Sequence, residues 1–415
     1  MKRVLAAIAL LGGLSLSASS AFAWDYFYTG AQHGNVFGTY KVNVNLDDYL
    51  PLQSGGSAKA MGMGGAYTAI ASDLGAVEYN PAGLARISHV NVSALATANR
   101  TTTIGAQGEK TSSWKIIPTY AGAALKIGPI AVGLSKEVPQ SKSTYIKFAS
   151  TQRNIRAPDG WVMSYDTLSD KMDTSALDTY VLTGAIKLGR LSVGANYNSI
   201  NGEIKREFSG RVTTPQRYYW WNTGGVMNNQ FQATNTVGLK GYTIDVGALI
   251  DMGIIRLGAT AKNFKGKVDV TQKMHWKDNF DMGSNNFFVW NPAQTKNTMT
   301  EFAPTYSAGA ALLLGKFITV DLDYVTINLQ DSNKALGRLG AEVAVIPGFL
   351  FARGGVKSDF KSVVQGQNNK TNEYFLGAGL KLVALTVDAS ASLTQAQAGS
   401  SGGDMTGAVS ASLKF

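Results

Sequence analysis

From Ile130 onward the chain runs as pairs of alternating strands, with very short connections inside each pair and long ones between pairs. The short joints are Lys126-Ile127-Gly128-Pro129, Gly189-Arg190, Asp251-Met252-Gly253, Gly315-Lys316, Ile346-Pro347-Gly348 and Leu382-Val383. They sit where a hairpin needs a tight turn, and most carry glycine or proline. The expected long connections are residues 138–175, 205–235, 265–301, 358–370 and the Gly-Ser-rich stretch 398–404. A strict short-long rhythm is that of a transmembrane β-barrel, which has brief turns at one rim and extended loops at the other. It predicts an all-β antiparallel barrel of about fourteen strands, an even number as bacterial barrels have.

The strand faces agree with that reading. Leu191, Val193, Ala195 and Tyr197 alternate with Ser192, Gly194, Asn196 and Asn198, and Ile318, Val320, Leu322 and Tyr324 with Thr319, Asp321 and Asp323. Leu385, Val387, Ala389 and Ala391 likewise oppose Thr386, Asp388, Ser390 and Ser392. The last strand sets Gly407, Val409, Ala411, Leu413 and Phe415 against Thr406, Ser410, Ser412 and Lys414, and Phe415 is the expected barrel-assembly signal. One apolar parity suits lipid, where a charge costs about 2 to 4 kcal/mol at the midplane, and the polar parity suits a lumen. Two registers stay open: Pro118 implies a strand end or bulge, and Arg353 shares a face with Phe349 and Phe351.

Composition narrows the class. The 415 residues are 45% hydrophobic and 16% charged, and past residue 23 no apolar run reaches the ~18 residues a spanning helix needs, so strands must do any spanning. Residues 1–23 read as a signal peptide: Lys2 and Arg3, an apolar stretch, then Ala21-Phe22-Ala23 as the cleavage site. With no cysteine, disulfides, thiolate metal sites and thiol nucleophiles are excluded. The net charge of +10 is scattered over candidate loops without a dense stripe, which argues for an anionic lipopolysaccharide surface and against nucleic acid. A secreted sandwich or propeller would also alternate, but would not join a signal peptide, an apolar aromatic ending and this rhythm.

Ahead of the strands, residues 24–88 show no hairpin pattern. They divide into an arm, 24–54, rich in Trp24, Tyr26, Phe27, Tyr28, Phe37 and Tyr40, and a segment, 55–88, placed before a barrel of 89–415. The segment contains Met61-Gly62-Met63-Gly64-Gly65-Ala66, then Asp73, then Tyr79-Asn80-Pro81-Ala82-Gly83. Its small residues suit backbone packing in a crowded lumen, and Asn80-Pro81 suits a turn. Over residues 55–86 this resembles the N-terminal hatch of the FadL/TodX family of outer-membrane hydrophobic-compound transporters, and also the related PorV/PorQ barrels. The resemblance implies a hatch or plug in the lumen, with Gly62, Gly64, Gly65, Asp73, Asn80, Pro81 and Ala82 either gating it or fixing its fold. It further implies passage of hydrophobic or amphipathic small molecules, of the long-chain fatty acid type, without energy coupling. The alternative implied is a PorV-like scaffold that binds exported proteins in a secretion system.

External loops of the transporters form an apolar cup. Here Trp161, Tyr218, Tyr219, Trp220, Trp221, Phe287, Phe288 and Trp290 offer aromatic material, with Arg217 placed to hold a carboxylate; an aromatic girdle or loop packing explains the clusters as well. Inferred lumenal charges of both signs, among them Asp321, Asp323, Arg338, Glu342 and Asp388, must pair with one another, the plug or water. Enzyme readings are poor. His33, His89 and His275 lie far from metal-ligand spacing, Ser88 and His89 point to opposite faces of an extended chain, and no phosphate-cradling motif occurs. No cofactor is expected. Expected partners are outer-membrane lipid and lipopolysaccharide, the barrel-assembly machinery and a hydrophobic or amphipathic ligand, in the outer membrane of a Gram-negative cell.

Overall fold

The computed structural model describes residues 56–104, 110–138, 142–147, 153–156, 162–214, 227–278, 294–300, 304–328, 333–361, 363–364, 367–368, 372–394 and 405–415. The expected signal peptide and arm, 1–54, lie outside them.

Fourteen antiparallel strands form one ring. They are β1 Val90–Ile104, β2 Lys110–Ile127, β3 Ile130–Glu137, β4 Val162–Leu188, β5 Leu191–Thr214, β6 Met227–Asp251 and β7 Ile255–Asp278, then β8 Thr305–Leu314, β9 Ile318–Asn328, β10 Asn333–Ile346, β11 Leu350–Lys361, β12 Asn372–Leu382, β13 Leu385–Thr394 and β14 Met405–Lys414. Lys142–Lys147 and Arg153–Arg156 continue β3 along β4, and Gln294–Thr300 continues β8 along β7. The ring closes where β1 pairs with β14, from Asn91 opposite Lys414 to Asn99 opposite Thr406, and Val90 and Phe415 exchange both backbone hydrogen bonds. A closed sheet leaves no ladder edge to solvate, the condition for strands in lipid.

All six short joints connect neighbouring strands as expected. Glycine occupies the left-handed position in five of them, at Gly128, Gly189, Gly253, Gly315 and Gly348, while in the sixth Val383 adopts φ 49°. The three hairpin faces also hold: Tyr197, Leu322 and Tyr324 are exposed outward, while Ser192, Asn196, Asp321, Asp323 and Asp388 are buried inward. The open registers resolve by bulging and by inward pairing. Pairing slips between Leu95 and Ala96, so Pro118 faces out before the bulge, and beyond it Ala121 and Leu125 restore the apolar parity. Arg353 points into the bore, where its guanidinium lies 5.8 Å from the Phe351 ring centroid.

One expectation needs correction. Much of 162–175, 205–235 and 265–278, expected as loop, is strand: β4 alone has 27 residues, about 90 Å if straight at ~3.3 Å per residue, against the 9 to 11 a membrane crossing takes. The ribbon β4–β7 therefore continues well past the apolar belt. The reason the loop expectation failed is a reversal of polarity along the same strands. On β5 the outward side reads Leu191, Val193, Ala195 and Tyr197, then Asn201, Glu203 and Lys205, whereas the inward side reads Ser192, Asn196 and Asn198, then Ile200 and Ile204. On β6 and β7 the outward Lys240, Lys267 and Asp269 oppose the inward Val237, Leu239, Val268 and Val270. The switch falls at Tyr197 and Tyr242, whose rings stack at 5.6 Å, as aromatic residues do at a membrane boundary. Below the tyrosines the outside is apolar for lipid; above them it is polar for water, and the apolar residues turn inward.

Replacing Leu322, mid-belt and outward, by arginine is expected to cost about 2 to 4 kcal/mol of folding free energy in lipid vesicles. Lys316→Ala, at a turn, is expected to cost under about 0.5 kcal/mol. Equal denaturant midpoints for the two variants would contradict the belt.

Candidate functional site

Residues 56–88 touch the inner wall around the whole ring. The segment opens with a short helix, α1 (Ala58–Gly62), whose Ala58 N–H donates to Ser410 Oγ of β14 at 3.3 Å. Gly62 then rests on Gly377 of β12, where an added Cβ would stand 3.1 Å from the Gly377 Cα. Gly64 and Gly65 follow with φ of 68° and 74°, values that side-chain-bearing residues resist. Gly64 lies against Val356 of β11, and Gly65 accepts a bond from Arg338 Nη1 of β10 at 3.2 Å.

A carboxylate on β9 fixes the next turn. Asp323 Oδ2 accepts from Tyr67 N–H at 2.9 Å, Thr68 N–H at 3.0 Å and Thr68 Oγ1 at 2.7 Å. The Tyr67 hydroxyl donates to Asp73 Oδ2 at 2.9 Å, and Gly75 N–H donates to Asp73 Oδ1 at 2.9 Å. Burial, with the Asp73 charge beside it, pushes the Tyr67 phenol well above its ordinary value, so it remains a donor. The chain then passes α2 (Ala76–Tyr79), where Val77 C=O accepts from Asn196 Nδ2 of β5 at 2.7 Å.

Asn80 joins three things. Its Nδ2 donates to Thr68 C=O at 2.8 Å and to Ala248 C=O of β6 at 3.1 Å, while its Oδ1 accepts from Ala82 N–H at 3.1 Å, capping the 3-10 turn Pro81–Arg86. Pro81 provides the first residue of that turn, where its missing N–H costs nothing. Wall glycines make the approach possible: a Cβ on Gly194 of β5 would stand 2.5 Å from the Pro81 carbonyl carbon, and one on Gly247 of β6 would stand 2.9 Å from Pro81 Cδ. Leu84 reaches Gly133 of β3, Tyr120 Oη of β2 donates to Leu74 C=O at 3.1 Å, and Arg86 pairs with Asp251 of β6 at 2.7 Å. Contacts with inward residues of opposite walls put the segment across the bore.

An ion chain supports it at the other side. Lys59 Nζ lies 3.2 Å from Glu342, Glu342 lies 2.6 Å from Arg353 Nε, and Arg353 Nη1 lies 2.7 Å from Asp388. The seven residues singled out from the sequence, Gly62, Gly64, Gly65, Asp73, Asn80, Pro81 and Ala82, thus all lie in the segment. Trp161, Arg217, Tyr218, Tyr219, Trp220, Trp221, Phe287, Phe288 and Trp290 lie outside the described residues. Sequence reasoning missed the wall glycines, which carry no pattern of their own, and the inward apolar patch. That patch comprises Leu177, Ile200, Ile204, Val237, Leu239, Val268 and Val270, all on inward positions of β4–β7 beyond the Asn196–Asp245–Asn198 cluster. Among the described residues no group of three or more His, Asp or Glu is arranged to hold a metal.

No protein-family model matches the chain, and no curated protein does. Solved structures do. The toluene transporter TbuX of Ralstonia pickettii superposes with TM-score 0.61 at 12% identity over 87% of this chain and 99% of that one. The toluene transporter TodX of P. putida gives 0.60 at 13% over 88% and 99%. A FadL homologue of Pseudomonas aeruginosa gives 0.57 at 13% over 88% and 98%. At such identity the likeness is one of architecture: the chain has the closed barrel fold of these FadL- and TodX-type channels.

Proposed function

We propose that this protein is an outer-membrane channel for small hydrophobic molecules, in which residues 56–88 act as a hatch across the bore. The observation that carries the reading is the polarity reversal on β4–β7. Seven aliphatic side chains turn to the inner side beyond the membrane and pack on one another, and an apolar solute that enters between them gains about 25 cal/mol for each Å² of its own surface removed from water. The architecture shared with the toluene transporters TbuX and TodX supports the same direction. Passage needs no energy coupling, because transfer from water to an apolar patch, and from there to lipid or a downstream acceptor, runs downhill. A long-chain fatty acid is one amphiphile such a path accepts. Loss of uptake of a fluorescent or radiolabelled hydrophobic probe in a deletion strain, restored by the intact gene, is the expected result; unchanged uptake would remove the proposal.

Two variants separate its parts. Ile204→Gln with Val268→Gln places polar groups in the apolar patch without touching the membrane belt, and uptake is expected to fall about tenfold, roughly 1.4 kcal/mol of lost apolar partition. The barrel should keep its heat-modifiable gel mobility. Asp323→Ala removes the acceptor of three hydrogen bonds, and loosening of the segment by about 3 kcal/mol is expected. Amide exchange at Tyr67 and Thr68 should then quicken by about a hundredfold, with conductance in planar bilayers rising above that of the parent. Unaltered exchange and conductance would exclude Asp323 as a latch.

A further inference from the structure

The short-turn end of the bore is cationic out of proportion to the rest of the barrel. Lys126, Lys187, Arg190, Arg256, Lys316, Lys381 and Lys414 all lie within two residues of a short turn or of the β1–β14 closure, and Arg86 leaves the inner segment at the same level. Asp251 is the one acidic side chain among the described residues of that rim. Backbone bonds fix the level: Lys126 N–H donates to His89 C=O, Lys187 N–H to Pro129 C=O, and Asp251 N–H to Arg190 C=O.

Within this rim, Arg86 and Arg256 share one carboxylate, with Lys126 and Lys187 close by. Asp251 Oδ2 lies 2.7 Å from Arg86 Nη1 and 3.1 Å from Arg256 Nε. Lys126 Nζ reaches the Ile87 carbonyl at 3.4 Å and stands in the field of both Lys187 and Arg86. The Arg86 side chain is 8% exposed, and because Nη1 is taken by Asp251, its other edge is left over. On that edge Nε and Nη2 are buried and meet no acceptor among the described residues. Two parallel N–H groups on one guanidinium edge form the fork that matches a carboxylate or phosphate. A buried donor without an acceptor is costly, and Arg256, Lys126 and Lys187 raise the local potential against the single carboxylate of Asp251.

We propose that the Arg86 Nε–Nη2 edge, with Lys126 and Lys187, is an anion site at the turn end of the bore, which takes the carboxylate or phosphate of a small amphipathic molecule or headgroup. Asp251 is the internal competitor of that anion, bound to the opposite edge. An anion at this place neutralises the excess of charge and brings acceptors to the two orphaned donors. The proposal concerns binding alone, so it stands or falls independently of whether the channel conducts hydrophobic molecules.

Titration of the purified full-length barrel in non-ionic detergent with octanoate and with inorganic phosphate, followed calorimetrically, tests it. Saturable binding of at least one anion is expected, weakening with salt. Lys187→Gln, at an exposed position, should weaken binding about threefold, and Arg86→Gln at least about tenfold. Asp251→Asn should strengthen it, a result that mere damage to the fold does not give. Saturation by octanoate points to a departing amphiphile and by phosphate to a free oxyanion, whereas binding only in vesicles containing phosphatidylglycerol points to a lipid headgroup. No saturable binding under any of these conditions, or binding indifferent to Lys187→Gln and Asp251→Asn, would overturn the site.

Discussion

The pairing of β1 with β14 is the contact on which everything else rests. Until Val90 and Phe415 exchange their backbone bonds, the sheet has two free edges, and in lipid each unpaired amide or carbonyl along them costs several kcal/mol. Closure removes both edges at once and creates an inside. Only then can Ser192, Asn196, Asp321 and Asp388 be polar and sheltered from lipid, and only then does the inner segment find walls on all sides. The outward Phe415 ring extends the apolar belt to the closure itself.

Two different solvents then act on one set of strands. Through the membrane the exterior is hydrocarbon, so apolar side chains face out and the inside can afford hydrogen-bonding groups. Past Tyr197 and Tyr242 the exterior is water, and Glu203, Lys205, Lys240 and Asp269 face it while Ile204, Leu239 and Val270 turn in. Because a strand shows alternate residues to opposite sides, the residues at each parity exchange character along β5 and β6, while β7 bulges at residues 262–264, where its pairing with β6 shifts between Ile244 and Val246. The ribbon β4–β7 is thus inside out relative to its own lower half, and its core is the apolar patch.

That reversal also explains which parts of the architecture were legible beforehand. Turn residues such as Gly189 and Gly315 answer a local backbone requirement, so they reveal hairpins without any knowledge of the rest. The lipid parity of β9 and β13 is equally plain, since one strict alternation serves one pair of environments. The extensions of β5 and β7 resemble loops in the sequence, because a template with apolar residues outward finds charges there instead. Candidate site residues were readable where a conformation demands them, as at Gly64 and Gly65. Asp323 and Arg338 were recognisable as lumenal, but their partners at Tyr67, Thr68 and Gly65 lie more than two hundred residues away, and pairing across that separation leaves no trace in spacing.

The inner segment is held in two ways at once, and this bears on how a hatch would yield. Toward β9–β14 it is held by charged and polar bonds: three to Asp323, one from Arg338, and the chain from Lys59 through Glu342 and Arg353 to Asp388. Close packing runs along the same segment: residues 62–64 lie on Gly340, Gly355 and Gly377, Thr68 on Gly258, and residues 80–82 on Gly194 and Gly247, contacts with no slack and little that water could replace. Polar bonds can be exchanged for bonds to water at small net cost, whereas close-packed contacts are lost outright when the surfaces part. Asn80 takes part in both, bonding Thr68 within the segment and Ala248 on the wall while Pro81 beside it packs on Gly194 and Gly247. A hatch built this way yields first by exchanging its polar bonds, those to Asp323, to Arg338 and along the Glu342–Arg353–Asp388 chain, while its contacts with the wall glycines hold until the surfaces part.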